Sequence, residues 1–265
     1  MYKTLAIGQE FLQSARIGTS GHVHSIFKRA INIRTAKGEI RTILTQDGDI
    51  MDAAIVINAE ELLETAKIGD TVLLTSENVY IDNMPLIYGL RQVKPWSADF
   101  AAKRFSDSQI LDRCLKVEKL LVDQEGYDAY YLAQKAKKDS LIHLLGLGIG
   151  LTPAGDDFNC GLLVVLAYLE KIYGRSYLPL PEIRSSILSN LYRTNEISGH
   201  FLKHALNSQM GKATSELLFA LFSLEDEHLF EAVQKKMTYG ATSGMDEICG
   251  MIYGIRLFME NKEQG

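Results

Sequence analysis

The sequence predicts an α+β protein, with a β-rich unit (a small barrel or sandwich) over residues 1–100 and an all-α unit over residues 101–265. Three observations lead there. Short segments in the first hundred residues alternate apolar and polar side chains, the period of half-buried strands. Beyond Ser106 the apolar residues recur at helical spacing instead. The change of texture falls on Lys94-Pro95-Trp96-Ser97 and the stretch running to Ser106, which is taken as the boundary.

Taken in order, Ile31-Asn32-Ile33-Arg34 and Ile40-Arg41-Thr42-Ile43-Leu44-Thr45 read as strands. Ala36-Lys37-Gly38 and Asp47-Gly48-Asp49 carry hairpin-type turn chemistry. Residues 53–58 and 71–75 read as interior strands, residues 59–66 as a short helix, and Lys67-Ile68-Gly69-Asp70 as a turn. Strands this short and closely spaced favour a barrel or sandwich. In the second half, Ser106-Asp107 can cap a helix with Ile110, Leu111, Cys114, Val117, Leu120 and Leu121 on one face. Helical patterns follow at 156–173, 181–206, 212–223, 225–238 and 244–260.

Bulk properties narrow the function classes. With 265 residues, 46% of them hydrophobic, the chain can bury a full core in one large or two smaller domains. A net charge of -5 with scattered Lys and Arg supplies no basic stripe, so nucleic acid is not expected as a partner. Three cysteines without CxxC spacing argue against a disulfide framework or a zinc site and favour a reducing compartment. The first residues lack signal-peptide character, and the most apolar run, Leu162 to Leu169, is too short to cross a membrane. The expectation is a soluble cytoplasmic protein.

The most unusual segment is GLGIGLTPAGDDFNCG, residues 146–161. Its glycines and proline forbid regular structure before an apolar helix begins. Thr152 or Asp156 can cap that helix, whose positive end suits acidic groups. Gly148, Gly150 and Gly155 would let a small anion approach main-chain N–H groups. No Gly-Lys-Ser/Thr follows, so this is not a P-loop, and no clear strand precedes it, as a dinucleotide fingerprint requires. Asp156 and Asp157 are then either plain caps or a ligand site in which one caps and the other serves as acceptor, base or metal ligand.

GATSGMDEICG, residues 240–250, repeats the order glycine, threonine, acidic pair, cysteine, glycine. Two such helix starts could face one another and bring Asp156, Asp157, Asp246 and Glu247 into one cleft, or they resemble each other only through shared capping rules. Cys160 and Cys249 lack basic neighbours and read as packing residues. Between the two loops, Arg193, His200 and Lys212 are the nearest cations for a phosphate or carboxylate. His22 and His24 share one face of a strand, where a structural role competes with metal chelation.

The first motif, the Arg193–Lys212 region and the last motif together resemble the AllH family, formerly a domain of unknown function, and GHVHSIFKRAINI near the start is similar to that family's N-terminal region. The resemblance implies a subunit of oxamate carbamoyltransferase in anaerobic purine and allantoin breakdown. That enzyme interconverts oxalurate and phosphate with oxamate and carbamoyl phosphate. It implies FdrA-like and AllG-type partner subunits and small anionic substrates. Gly148, Gly150, Thr152, Pro153, Gly155, Asp156 and Asp157 carry over from the first motif, and Thr242, Ser243, Gly244 and Asp246 from the last. Ala241 stands where the resemblance leads one to expect histidine. Asp156, Asp157 and Asp246 are the candidate catalytic residues. The candidate substrate-binding residues are Gly148, Gly150, Thr152, Gly155, Arg193, His200, Lys212, Thr242, Ser243 and Gly244. No cofactor is expected, with magnesium or manganese at the acids as the alternative. Two rival readings are a non-catalytic assembly or metabolite-sensing subunit and a metal-dependent hydrolase.

Overall fold

The computed structural model describes residues 1–62, 64–98 and 103–261, and of residues 138 and 139 the backbone alone. The chain divides into two compact units, residues 1–98 and 99–265.

The first unit is a closed β-barrel. Its strands are β1 (Tyr2–Gly8), β2 (Thr19–Ile26), β3 (Ala30–Thr35), β4 (Ile40–Leu44), β5 (Ala54–Ile57), β6 (Thr71–Leu74), β7 (Asn78–Ile81) and β8 (Met84–Tyr88). Their neighbour order is β5-β4-β3-β2-β6-β7-β8-β1, and β1 pairs back onto β5 to close the ring. Closure leaves no long edge to template aggregation. A ninth strand, β9 (Pro95–Trp96), runs parallel to the end of β1. The interior is a single apolar cluster that includes Ile7, Val23, Ile31, Ile33, Ile43, Ile55, Ile57, Val72 and Ile87. Helix α1 (Gln9–Arg16) adds Phe11, Leu12 and Ala15 to that cluster.

Several local expectations change in this unit. The alternation in β3 and β4 predicted a wet outer face, yet Asn32 and Thr42 are buried opposite each other, the Thr42 hydroxyl donating to Asn32 Oδ1 at 3.0 Å. Residues 47–49 do turn, the Gly48 N–H bonding to Thr45 O, but the strands they join are parallel rather than a hairpin. The described residues of 59–66 form no helix. Their polar backbone groups bond elsewhere (Gln46 N–H to Ala59 O, Leu62 N–H to Lys28 O), and Leu62 is drawn into the barrel core.

The second unit is helical. Its first helix, α2 (Asp107–Val122), starts in a full capping box, Ser106 and Gln109 each accepting the other's backbone N–H. A short helix the periodicity did not predict follows, α3 (Tyr131–Asp139). Next come α4 (Ala154–Tyr173), α5 (Leu180–Ser189), α6 (Glu196–Leu206), α7 (Lys212–Ser223), α8 (Asp226–Met237) and α9 (Ser243–Glu260). The single helix expected over 181–206 is two. A 3-10 turn at Leu191–Arg193 separates α5 from α6, and Asn195 caps α6 by accepting the Ser198 N–H. Helix α4 is buried almost all round, including every residue from Leu162 to Leu166, as expected of a helix at the centre of its domain.

Candidate functional site

The two glycine-rich helix starts meet because α4 and α9 cross backbone to backbone. A methyl group placed on Gly161 would come within 2.0 Å of the Glu247 carbonyl oxygen, and one on Gly250 within 1.9 Å of the Phe158 carbonyl oxygen. These contacts are reciprocal: Gly161 also faces Met251, and Gly250 faces Leu162. The crossing therefore has a local two-fold that relates residue 158 to 247, 161 to 250 and 162 to 251. The same shift superposes Gly155-x-Asp157-x-x-Cys160-Gly161 on Gly244-x-Asp246-x-x-Cys249-Gly250. Both leading glycines are also close-packed, Gly155 against Leu144 O and Gly244 against Lys236 O. The internal echo is thus a spatial one, in a corrected register. Asp157, not the Asp156–Asp157 pair, is the counterpart of Asp246, and Met245 occupies the place of Asp156.

Asp156 is only 1% exposed and holds the glycine loop together. It accepts the Gly146 N–H at 2.9 Å, the Ser198 hydroxyl at 2.7 Å and the Thr194 hydroxyl. It does not cap α4, whose N-cap residue is Pro153; neither does Thr152. The loop closes on itself instead: the Gly155 N–H donates to Leu147 O, and Asn195 Nδ2 donates to Leu151 O. Gly146, Gly148 and Gly150 all have positive φ, at 73°, 121° and 100°. At Gly146 a side chain would also strike Arg193 O, so both strain and space require glycine there.

Asp157, Asp246 and Glu247 form an acidic cluster in which the three carboxyls have different surroundings. Glu247 is paired, with Lys236 Nζ at 2.6 Å and the Thr214 hydroxyl at 2.5 Å. Asp246, 3% exposed, accepts the Tyr127 hydroxyl at 2.8 Å on Oδ1. Asp157 lies beside the hydroxyls of Ser243 and Thr152, which are 2.9 Å from one another. Asp157 and Asp246 each retain one buried oxygen, Oδ2, with no hydrogen-bond partner. Burial drives the Asp157 carboxyl well above the ordinary range, and the charges of Glu247 and Asp246 push the same way. Burial also raises Asp246, opposed by Thr242 and Tyr127. The thiols beside them are inert for the same reason: burial takes Cys249 to about 12 and lifts Cys160 well above its usual value.

Of the remaining sequence candidates, Thr152, Thr242, Ser243 and Gly244 lie at this cluster. Gly148 and Gly150 are exposed in the loop beside it. The three cations do not join it. Lys212 is half-exposed and pairs with Glu216 at 3.7 Å, and Arg193 is exposed. His200 turns to His204, their Nε2 atoms 2.9 Å apart, with His204 Nδ1 2.7 Å from Gln209 Oε1. The cation that does enter is Lys236, which periodicity treats as one more polar residue of α8. Tyr127 was also missed, and the nearby turn glycine, Gly126, gives no hint of its partner. Among the described residues, no three His, Cys, Asp or Glu side chains are grouped so as to hold a metal ion. His22 and His24 lie on β2, where a bulge between Val23 and Ser25 interrupts the pairing.

No helix among the described residues is long and apolar enough to cross a membrane. Family models match both halves of the chain. Residues 3–95 match the AllH family N-terminal domain, and residues 144–255 match the oxamate carbamoyltransferase subunit AllH. No curated protein and no solved structure gave a match. The second match spans both glycine-rich helix starts and the acids between α4 and α9, the first spans almost the whole barrel, and the chain therefore belongs to the AllH family.

Proposed function

We propose that this chain is the subunit of an oxamate carbamoyltransferase whose helical unit holds the amide-bearing substrate. The full enzyme would convert oxalurate and phosphate to oxamate and carbamoyl phosphate, within anaerobic purine and allantoin breakdown in the cytoplasm. The observation that carries the reading is family membership over both halves of the chain. In this reaction a phosphate oxygen attacks the terminal ureido carbonyl, the bond from that carbon to the oxamate nitrogen breaks, and the nitrogen takes up a proton. The demands are a polarised carbonyl, a positioned amide and a donor for the leaving nitrogen.

The acidic cluster suits one part of that list. Among the described residues, the cation at the cluster of Asp157, Asp246 and Glu247 is Lys236, already paired to Glu247. Such a site repels phosphate and carboxylate and attracts N–H donors. The substrate's amide end is therefore assigned to this chain, and the phosphate to the partner subunits, for which FdrA-like and AllG-type chains are the candidates. Asp156 acts through the loop it organises rather than on substrate.

The test is reconstitution of the three-subunit enzyme with this chain, wild type or Asp157→Ala, assayed for carbamoyl phosphate formed from oxalurate and phosphate. Activity should require this chain and fall on the order of 10²-fold in the variant. Full activity without the chain, or with the variant, would refute the reading.

A further inference from the structure

We propose that Asp157 and Asp246 together form a subsite for a primary amide group, and that Tyr127 is the positioning residue that leaves Asp246 Oδ2 free to accept it. The proposal deepens the carbamoyltransferase reading and rests on it.

Two carboxyls, related by the local two-fold of the α4–α9 crossing, each present one buried oxygen without a partner. Among the described residues these are the buried carboxylate oxygens without a partner, and they lie on equivalent residues, so a ligand donor at each would complete the bonding. Thr242 is exposed and Thr152, Asp157 and Ser243 are of intermediate exposure, so the cluster is not sealed from solvent.

The chemistry of the pair selects the ligand. Neighbouring acids in a poorly solvated place do not both ionise, so one keeps a proton. A carboxylic acid beside a carboxylate is the complement of a –CO–NH2 group: the acid donates to the amide oxygen, and the carboxylate accepts an N–H. Asp157 is the member whose surroundings hold the proton, because burial, Glu247 and Asp246 favour its neutral form and together outweigh the opposing hydroxyls of Ser243 and Thr152. Asp246 is the member held ready as acceptor, because the Tyr127 hydroxyl donates to Oδ1 at 2.8 Å. Tyr127 remains a donor at any accessible pH, since burial and its neighbours Cys249 and Asp246 raise its phenol.

The segment that carries Tyr127 is pinned for this task. Gly126 takes a φ of 76°, the Tyr127 N–H closes a turn onto Gln124 O, and Cys249 Sγ donates to Ala129 O at 3.3 Å. The titratable and charged groups around Asp246 are then Tyr127 from this segment, Cys249 and Glu247 on its own helix, Asp157 from α4 and Lys236 from α8.

The experiment uses the assembled enzyme running from oxamate and carbamoyl phosphate, with oxalate as competitor. Oxalate carries a carboxylate where oxamate carries the amide. Wild-type enzyme should bind oxamate at least about tenfold more tightly than oxalate, because the anion meets the acids with no N–H to offer. Tyr127→Phe should raise the KM for oxamate about tenfold, with a smaller change in kcat. It should also move the acid limb of kcat/KM upward by about one pH unit, since Asp246 loses the donor that favours its ionised form. Oxalate binding as well as oxamate would overturn the proposal without any variant. A Tyr127→Phe enzyme that melts earlier yet keeps the wild-type KM and pH limb would remove the positioning role. Asp246→Asn separates the two levels. If it is fully active, the acidic cluster is not the amide subsite and this proposal falls, while the carbamoyltransferase reading stands. If it is inactive while Tyr127→Phe behaves as wild type, only the positioning role is lost.

Discussion

Replacing Gly250 by alanine puts a methyl group 1.9 Å from the Phe158 carbonyl oxygen, across the closest point of the α4–α9 crossing. Ordinary contact begins near 3.4 Å, so the two helices must separate by about 1.5 Å. The obstacle is backbone on a helix buried almost all round, and no side-chain rotation relieves it. Overpacking of a close-packed core typically costs about 1–3 kcal/mol, offset by up to about 1 kcal/mol for alanine over glycine in a helix. A rigid backbone obstacle lies at the upper end of that range, so a net loss of about 2 kcal/mol is expected. For a unit of this size that lowers Tm by about 4–8 °C. Gly199 in α6 is the internal control, because a methyl there meets only Thr194 Cγ2, at 3.9 Å. Gly199→Ala should be neutral or stabilise by up to about 1 kcal/mol. Urea unfolding followed by circular dichroism reads both variants, with the midpoint shifting and the slope unchanged. Equal stability of Gly250→Ala and wild type, or equal losses in the two variants, would refute the close crossing.

Two further outcomes follow from the acidic cluster. Lys236→Met strands Glu247 in a site where the lysine side chain is 5% and the glutamate 19% exposed, and should cost about 3 kcal/mol or more; adding Glu247→Gln should restore much of it in the same unfolding assay. Asp157 has its carboxyl raised in the folded state, so the stability it contributes is fully present below the unfolded value near about pH 4 and is lost as pH rises through the folded value. Asp157→Asn should therefore flatten the decline of stability with rising pH and gain on wild type at the alkaline end, read as Tm against pH; an unchanged slope would refute the assignment.

What could be read without coordinates depended on local rules. The Ser106 cap, the limits of α7, α8 and α9 to within a residue and the change of texture before residue 106 all follow from side-chain spacing and cap chemistry within a few residues. The strand content of the first half was legible in the same way, but the choice of barrel over sandwich was not. It rests on β1 pairing with β5, residues far apart in the chain. The 59–66 segment was misread because its apolar residues have helical spacing while their backbone partners, such as Lys28, come from elsewhere. The glycine-rich loop was recognisable as a special place, and the repeated motif as an echo, but the echo's register was one residue out. Only the reciprocal contacts of Gly161 and Gly250 pair Asp157 with Asp246. The same holds for the roles within the pair of adjacent aspartates. Sequence determined that two acids stand at a helix start; tertiary structure decided that Asp156 faces Gly146, Thr194 and Ser198 while Asp157 faces the second helix. Tyr127 and Lys236 enter the site from segments with no motif at all, since hydrogen bonds and ion pairs over such separations leave no periodicity in the chain. Helical and strand patterns are properties of neighbours in sequence, whereas protonation, satisfaction of buried oxygens and the meeting of two helix starts are properties of neighbours in space.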